Sequence, residues 1–195
     1  MPDILRPFPL SDVKLLPSIF RERFDLNRQY VMSLRSENLL QNYYLQAGLW
    51  GPPRQPEGIH WGWESPTSEV RGHFLGHWFS AAARIYSVAA DMEAKAKAEH
   101  IVAELARCQR ENGGEWAGSI PPAYLEWVAR GKRVWAPHYT LHKTLMGLYD
   151  MFALAGSEQA LEILMAWARW FHRWTSPFTR QQMDEYRQQV QAKLE

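Results

Sequence analysis

The chain has 195 residues, enough for one domain with a hydrophobic core, and a formal net charge of only +1. That balance excludes the basic surplus of a nucleic-acid binder and the acidic surplus of a protein that collects cationic partners. The single cysteine, Cys108, excludes an internal disulfide and a cysteine zinc site built from this chain alone.

No run approaches the roughly 20 apolar residues of a membrane span. The opening "MPDILRPFPL" has prolines and an acid where a signal peptide needs a basic region and an apolar run, so a cytoplasmic location is expected. Ten tryptophans, eight tyrosines and eight phenylalanines are unusual. Large rings either fill a bulky core or stack on the apolar faces of sugars.

In chain order, "PFPLSDVKLL" reads as an extended lead-in strand. Apolar residues at helical spacing from Pro17 to about Leu34 predict a helix, with Pro17 in its first turn. Ser36 is placed as the cap of a second helix running to Gly48. Residues 48–67 are rich in Gly and Pro and form a loop, which also carries Trp50, Trp61 and Trp63. Long loops bearing large aromatics are commonly functional.

Ser68 is expected to cap a third helix to about Ala90. Asp91 caps a fourth, whose Ile101, Val102, Leu105 and Cys108 face inward while Lys95, Lys97 and Glu104 face out. A second loop, 113–137, holds one short helix near Tyr124. Pro137 opens a helix that Gly156 ends, Ser157 caps the next, and Pro177 starts the last. Helix pairs with tight internal turns and long aromatic loops between them predict an all-α architecture of antiparallel helix hairpins. A site is expected where the long loops gather.

The stretch "RGHFLGHWFSAAARIY" concentrates the chemistry. His73 and His77 are four residues apart and share one helical face. Gly72 and Gly76 run beside them. Each glycine inside a helix costs about 1 kcal/mol relative to alanine, so two of them imply close helix packing or room for a ligand. The histidines are either satisfied core residues or pocket-lining donors.

His138 and His142 repeat the spacing in "WAPHYTLHKT". Two such pairs, with Glu64 of "GWES" adding an oxygen, admit a histidine-bound metal, although the glutamate of a zincin helix is missing. The milder reading has histidines from two helix tops donating to a polar ligand, with Glu64, Trp135, Tyr139 and the loop tryptophans completing a sugar site. Arg71 is available to a carboxylate or to Glu64. Lys143 is read as a snorkelling side chain, Cys108 as a small buried hydrophobe, and the last helix as a solvated face plus a partner surface.

In this order and spacing, "GWES", "RGHFLGHWFSAAA", "IVAELARCQ" and "VWAPHYTLHKTLMGLYD" resemble the N-terminal part of glycoside hydrolase family 127, the β-L-arabinofuranosidases. The resemblance runs from about residue 10 onward. It implies an (α/α)6 toroid, retaining hydrolysis of β-L-arabinofuranosides in an arabinose-containing glycan, and a zinc-bound cysteine nucleophile. It places His77 and His142 foremost, and His73 with them, in the sugar pocket.

His138 stands where the family usually has tyrosine. The family's acid/base glutamate and zinc ligands lie after these blocks, so residues 1–195 are expected to be one N-terminal part of a toroid. That part would supply pocket residues but no catalytic residue and no metal ligand, any zinc ligands lying beyond residue 195. Half a toroid leaves apolar helix faces bare, which implies self-association or a partner that completes the ring. The alternative to a glycosidase portion is a non-catalytic helical module for sugar or protein, or a histidine metalloprotein.

Overall fold

A computed structural model describes residues 8–49 and 58–191. Trp50 and the first residues of the lead-in fall outside these. The described chain is helical: α1 Ile19–Ser33, α2 Ser36–Gln46, α3 His73–Ala89, α4 Met92–Glu111, α5 Ala123–Ala129, α6 Pro137–Ala155, α7 Glu158–Thr175 and α8 Arg180–Gln191. Two short 3-10 turns, Leu10–Asp12 and Gly62–Glu64, precede α1 and α3. The expected lead-in strand is absent among the described residues. Leu10–Asp12 turns instead, and with no neighbouring strand an extended segment has no ladder to join.

Local chemistry accounts for most helix ends. The Asp91 carboxylate accepts the amides of Glu93 and Ala94 at the head of α4. Pro137 occupies the first position of α6, and Gly156, at φ +69°, closes it in the left-handed conformation. Thr179 and Gln182 bond reciprocally at the head of α8, a capping box that starts it three residues after Pro177. At α1 the cap is Ser18, so Pro17 lies outside the helix. At α2 the cap position is Arg35, and Ser36 is already helical.

Ser68 does not cap α3. Its hydroxyl accepts the Val70 amide within a turn, and the helix begins five residues later, after Gly72 at φ +85°. Gly72 is therefore a cap residue and not part of a helical small-residue stripe.

α3 is the central element. Leu75, Trp78, Phe79, Ala82, Ala83 and Ile85 are all buried. Its most extensive contact is with α6. At their crossing the two backbones touch. A Cβ on Gly76 would drive into the Lys143 carbonyl, and one on Gly147 would sit 2.5 Å from the Gly76 oxygen. The helix-breaking penalty of Gly76 is thus offset by an approach that no side chain permits.

α4 packs on the other side of α3 through Ile101, Val102, Leu105 and Cys108. Lys97 and Glu104 are not free outward charges. Lys97 Nζ donates to the Met32 carbonyl at 2.8 Å and to Leu34 O, closing the end of α1, and burial lowers its pKa. Glu104 accepts the Tyr44 hydroxyl. Four tryptophans, Trp116, Trp167, Trp170 and Trp174, join Phe171 in a second aromatic cluster along α7.

Gly76→Ala is expected to cost about 1–3 kcal/mol or more, because the obstructing atoms are backbone and cannot rotate away. Urea denaturation measures it. An unchanged midpoint would contradict the backbone contact.

Candidate functional site

α3 begins at a glycine, which has no side chain to satisfy the exposed amides of the first turn. Glu64 supplies the missing acceptor from eight residues upstream. Its Oε2 accepts the Gly72 amide at 2.7 Å and its Oε1 the Phe74 amide at 3.0 Å. A carboxylate there also complements the positive end of the α3 dipole. The same Oε1 lies 2.8 Å from His73 Nδ1, and the Val70 carbonyl lies 3.1 Å from that nitrogen. Both neighbours accept, so Nδ1 carries a proton.

Glu64 is itself held from α2. Gln41 Nε2 donates to the carbonyls of His60 and Glu64, while Gln41 Oε1 accepts the His60 amide. Asn42 Nδ2 donates to the Glu64 carbonyl at 2.8 Å and to its Oε2 at 3.3 Å. Gln41 and Asn42 are buried. Behind them the Tyr43 hydroxyl meets both the Gly72 carbonyl and Thr144 of α6. Gly72 packs against Ser119, whose hydroxyl donates to the Arg71 carbonyl, so a Cβ at Gly72 has no room.

In front of this frame lies a cavity of about 240 Å³ lined by Trp63, Val70, His73, Trp135, Ala136 and Tyr139. The rings meet edge to face or tilted: Trp63 to Trp135 at 6.0 Å, Trp63 to His73 at 6.1 Å, and His73 to Tyr139 at 5.7 Å. Glu69 holds the far wall by accepting the Trp135 amide at 2.6 Å. Ala136 takes φ +47°, a left-handed conformation rare outside glycine, as α6 starts at the cavity. Trp63, Trp135 and Tyr139 are each more than two-fifths exposed, so their faces are open to a ligand.

Of the residues singled out from sequence, Trp63, His73, Trp135 and Tyr139 thus come together. His77 adjoins them: its Nε2 is 3.3 Å from the Tyr139 hydroxyl and its ring 6.1 Å from His73. His142 stands exposed on α6, three residues past Tyr139, and does not line the cavity. Glu64 lies behind His73 and not on the cavity wall. Arg71 pairs with neither Glu64 nor another carboxylate among the described residues. It donates to the Ser68 carbonyl and the Tyr124 hydroxyl. Lys143 places its ammonium over the Tyr139 ring at 5.0 Å.

No group of three His, Cys, Asp or Glu side chains among the described residues converges as a metal centre requires. His138 is half-buried, and burial lowers its pKa. Cys108 is buried on α4, where desolvation pushes its thiol up to about 12. Burial thus keeps the Cys108 thiol protonated at neutral pH.

The match to the family model for the catalytic domain of GH127 β-L-arabinofuranosidases runs over residues 12–192. The chain belongs to the GH127 family. Comparison with individually curated proteins gives no match. The GH127 assignment agrees with the all-α architecture. Gln41 and Asn42 are the supporting residues that sequence reasoning missed. Polar residues on a helix look like a solvated face, and their partners are carbonyls about 20 positions away.

The two adjacent histidines are pushed apart electrostatically. The Glu64 carboxylate raises the pKa of His73. Burial, with Lys143 and His73 nearby, lowers that of His77. The His73 contribution to stability is therefore complete below the ordinary histidine value of about 6.5 and is lost as pH rises through its folded value. The His77 contribution runs the other way, lost as pH falls through its depressed value. In a histidine NMR titration with rising pH, His77 is expected to lose its proton before His73. The reverse order would contradict the placement of Glu64.

Proposed function

We propose that this chain forms the substrate-binding wall of a glycoside hydrolase acting on β-L-arabinofuranosides. The supporting observation is the cavity itself: three open aromatic rings, Trp63, Trp135 and Tyr139, set around His73. A furanose has apolar faces that pack on rings and hydroxyls that need directed polar partners. His73 Nε2, His77 Nε2 and the Tyr139 hydroxyl supply those partners. About 240 Å³ is below the roughly 300–1,000 Å³ of drug-sized sites and suits one sugar unit. His142, exposed further along α6, is a contact for the next unit of an arabinose-containing glycan.

The acid/base and nucleophile are, in this proposal, supplied from outside the described residues. Retaining hydrolysis needs two reacting groups about 5 Å apart. Glu64 is occupied by amides and the buried Cys108 thiol is inert. Purified chain is thus expected to bind but not to cleave.

The complementary protein covers the N-terminal face in this account, completing an (α/α)6 ring. Phe8, Leu16, Ile19, Phe20, Leu26 and Tyr30 are each at least half exposed there, more contiguous apolar sequence than a soluble monomer usually shows. Light scattering should find self-association that Phe20→Asp weakens. A monomer at all concentrations would remove self-association and leave a heterologous partner.

Calorimetry with methyl β-L-arabinofuranoside tests the binding proposal. Trp135→Ala is expected to weaken affinity about tenfold, or 1.4 kcal/mol. Absence of binding to wild-type protein would sink the sugar-site reading. Arabinose release by the chain alone would sink the claim that its chemistry is incomplete.

A further inference from the structure

The carboxylate behind the cavity is too fully engaged to act on a ligand directly. Glu64 Oε1 takes the Phe74 amide and faces His73 Nδ1, while Oε2 takes the Gly72 amide and the Asn42 amide. Its side chain is only 13% exposed. Four donors fill the lone-pair directions of a carboxylate, so none remains for a sugar hydroxyl.

We infer that Glu64 is a positioning residue. It holds His73 as an imidazolium anchored through Nδ1–H, with Nε2 left to donate a hydrogen bond to a sugar oxygen in the cavity. This deepens the sugar-site reading and rests on it for the identity of the acceptor.

The geometry and the charges around His73 support the inference together. Its Nδ1 is committed between two acceptors, Glu64 Oε1 and the Val70 carbonyl. The ring borders the cavity, and Nε2 is the nitrogen not tied to that frame. The groups that face His73 differ in sign. From α6 come the Lys143 ammonium and the neutral Tyr139. From α3 comes His77, and from α2 the neutral amide of Asn42. Trp63 and Trp135 add no charge. Glu64 alone is negative, and Lys143 opposes it.

Without the Glu64 carboxylate the balance turns against a charged His73. Val70 would still hold the Nδ1 proton, but Nε2 would then accept and no longer donate. A charge-assisted donor would be replaced by a weaker contact of opposite sense. The same carboxylate that starts α3 therefore also sets the polarity of the cavity wall.

Long-range 1H–15N NMR on the full chain, labelled at histidine, tests this in wild-type protein and in Glu64→Gln. The glutamine keeps one acceptor oxygen, for one of the two helix amides, and loses the charge. Wild-type His73 is expected to stay protonated above the ordinary histidine range, with Nδ1 as its last protonated nitrogen. In Glu64→Gln its titration is expected to fall to or below that range. Affinity for methyl β-L-arabinofuranoside at neutral pH should drop about tenfold while the fold is retained.

Identical His73 titrations in the two proteins would reduce Glu64 to a helix cap and overturn the inference. If Glu64→Gln does not fold, the wild-type spectrum decides alone, and an Nε2–H tautomer or an ordinary titration overturns it. An intact His73 signature in a protein that binds no arabinoside would overturn the sugar-site reading and leave the Glu64–His73 arrangement standing.

Discussion

The head of α3 depends on one carboxylate. α3 carries the core, crosses α6 backbone to backbone and presents His73, yet it begins at a glycine with nothing of its own to receive its first amides. Glu64 receives them and takes the His73 ring in the same grip. A 3-10 turn that would otherwise be a surface loop is thereby fixed to the end of the central helix. Trp63, in that turn, becomes a cavity wall.

Rigidity reaches the cavity by three routes. α2 clamps the loop from behind through the buried amides of Gln41 and Asn42, which bond main-chain groups of residues 60 and 64. α6 is locked to α3 where Gly76 meets the Lys143 carbonyl, which fixes Tyr139 relative to His73. Glu69 secures the approach to α6 by holding the Trp135 amide. The rings around the cavity are thus open on one side and braced on the other.

Where a signal is local, the sequence announces the structure. Asp91 and Gly156 bond groups within five residues, Pro137 presets its own backbone angle, and each marks its helix end. The start of α3 at His73 rather than after Ser68 is hidden from the sequence because its cap acts across the chain: no rule of nearest neighbours connects Glu64 to Phe74 through an intervening turn. Gly72 and Gly76 look alike in the sequence and do different work. Gly72 needs a positive φ and clearance from Ser119, whereas Gly76 needs clearance from another helix. The tryptophans divide likewise: four join the α7 cluster, Trp63 and Trp135 line the cavity and Trp78 fills the core, a partition that composition has no means of stating. His73 and His77 were legible as a pair by helical spacing. Their unequal environments arise from Glu64 and Lys143, which only the fold brings near.

The most direct measurement is native-state hydrogen exchange at the amides of Gly72 and Phe74. Amides at a helix start have no intrahelical acceptor and ordinarily exchange fast. Bonded to a nearly buried carboxylate, these two are predicted to exchange as slowly as amides in the middle of α3. Rapid exchange at both, with the middle of α3 still protected, would mean that Glu64 does not hold the helix, and the account of the cavity built on it would be wrong.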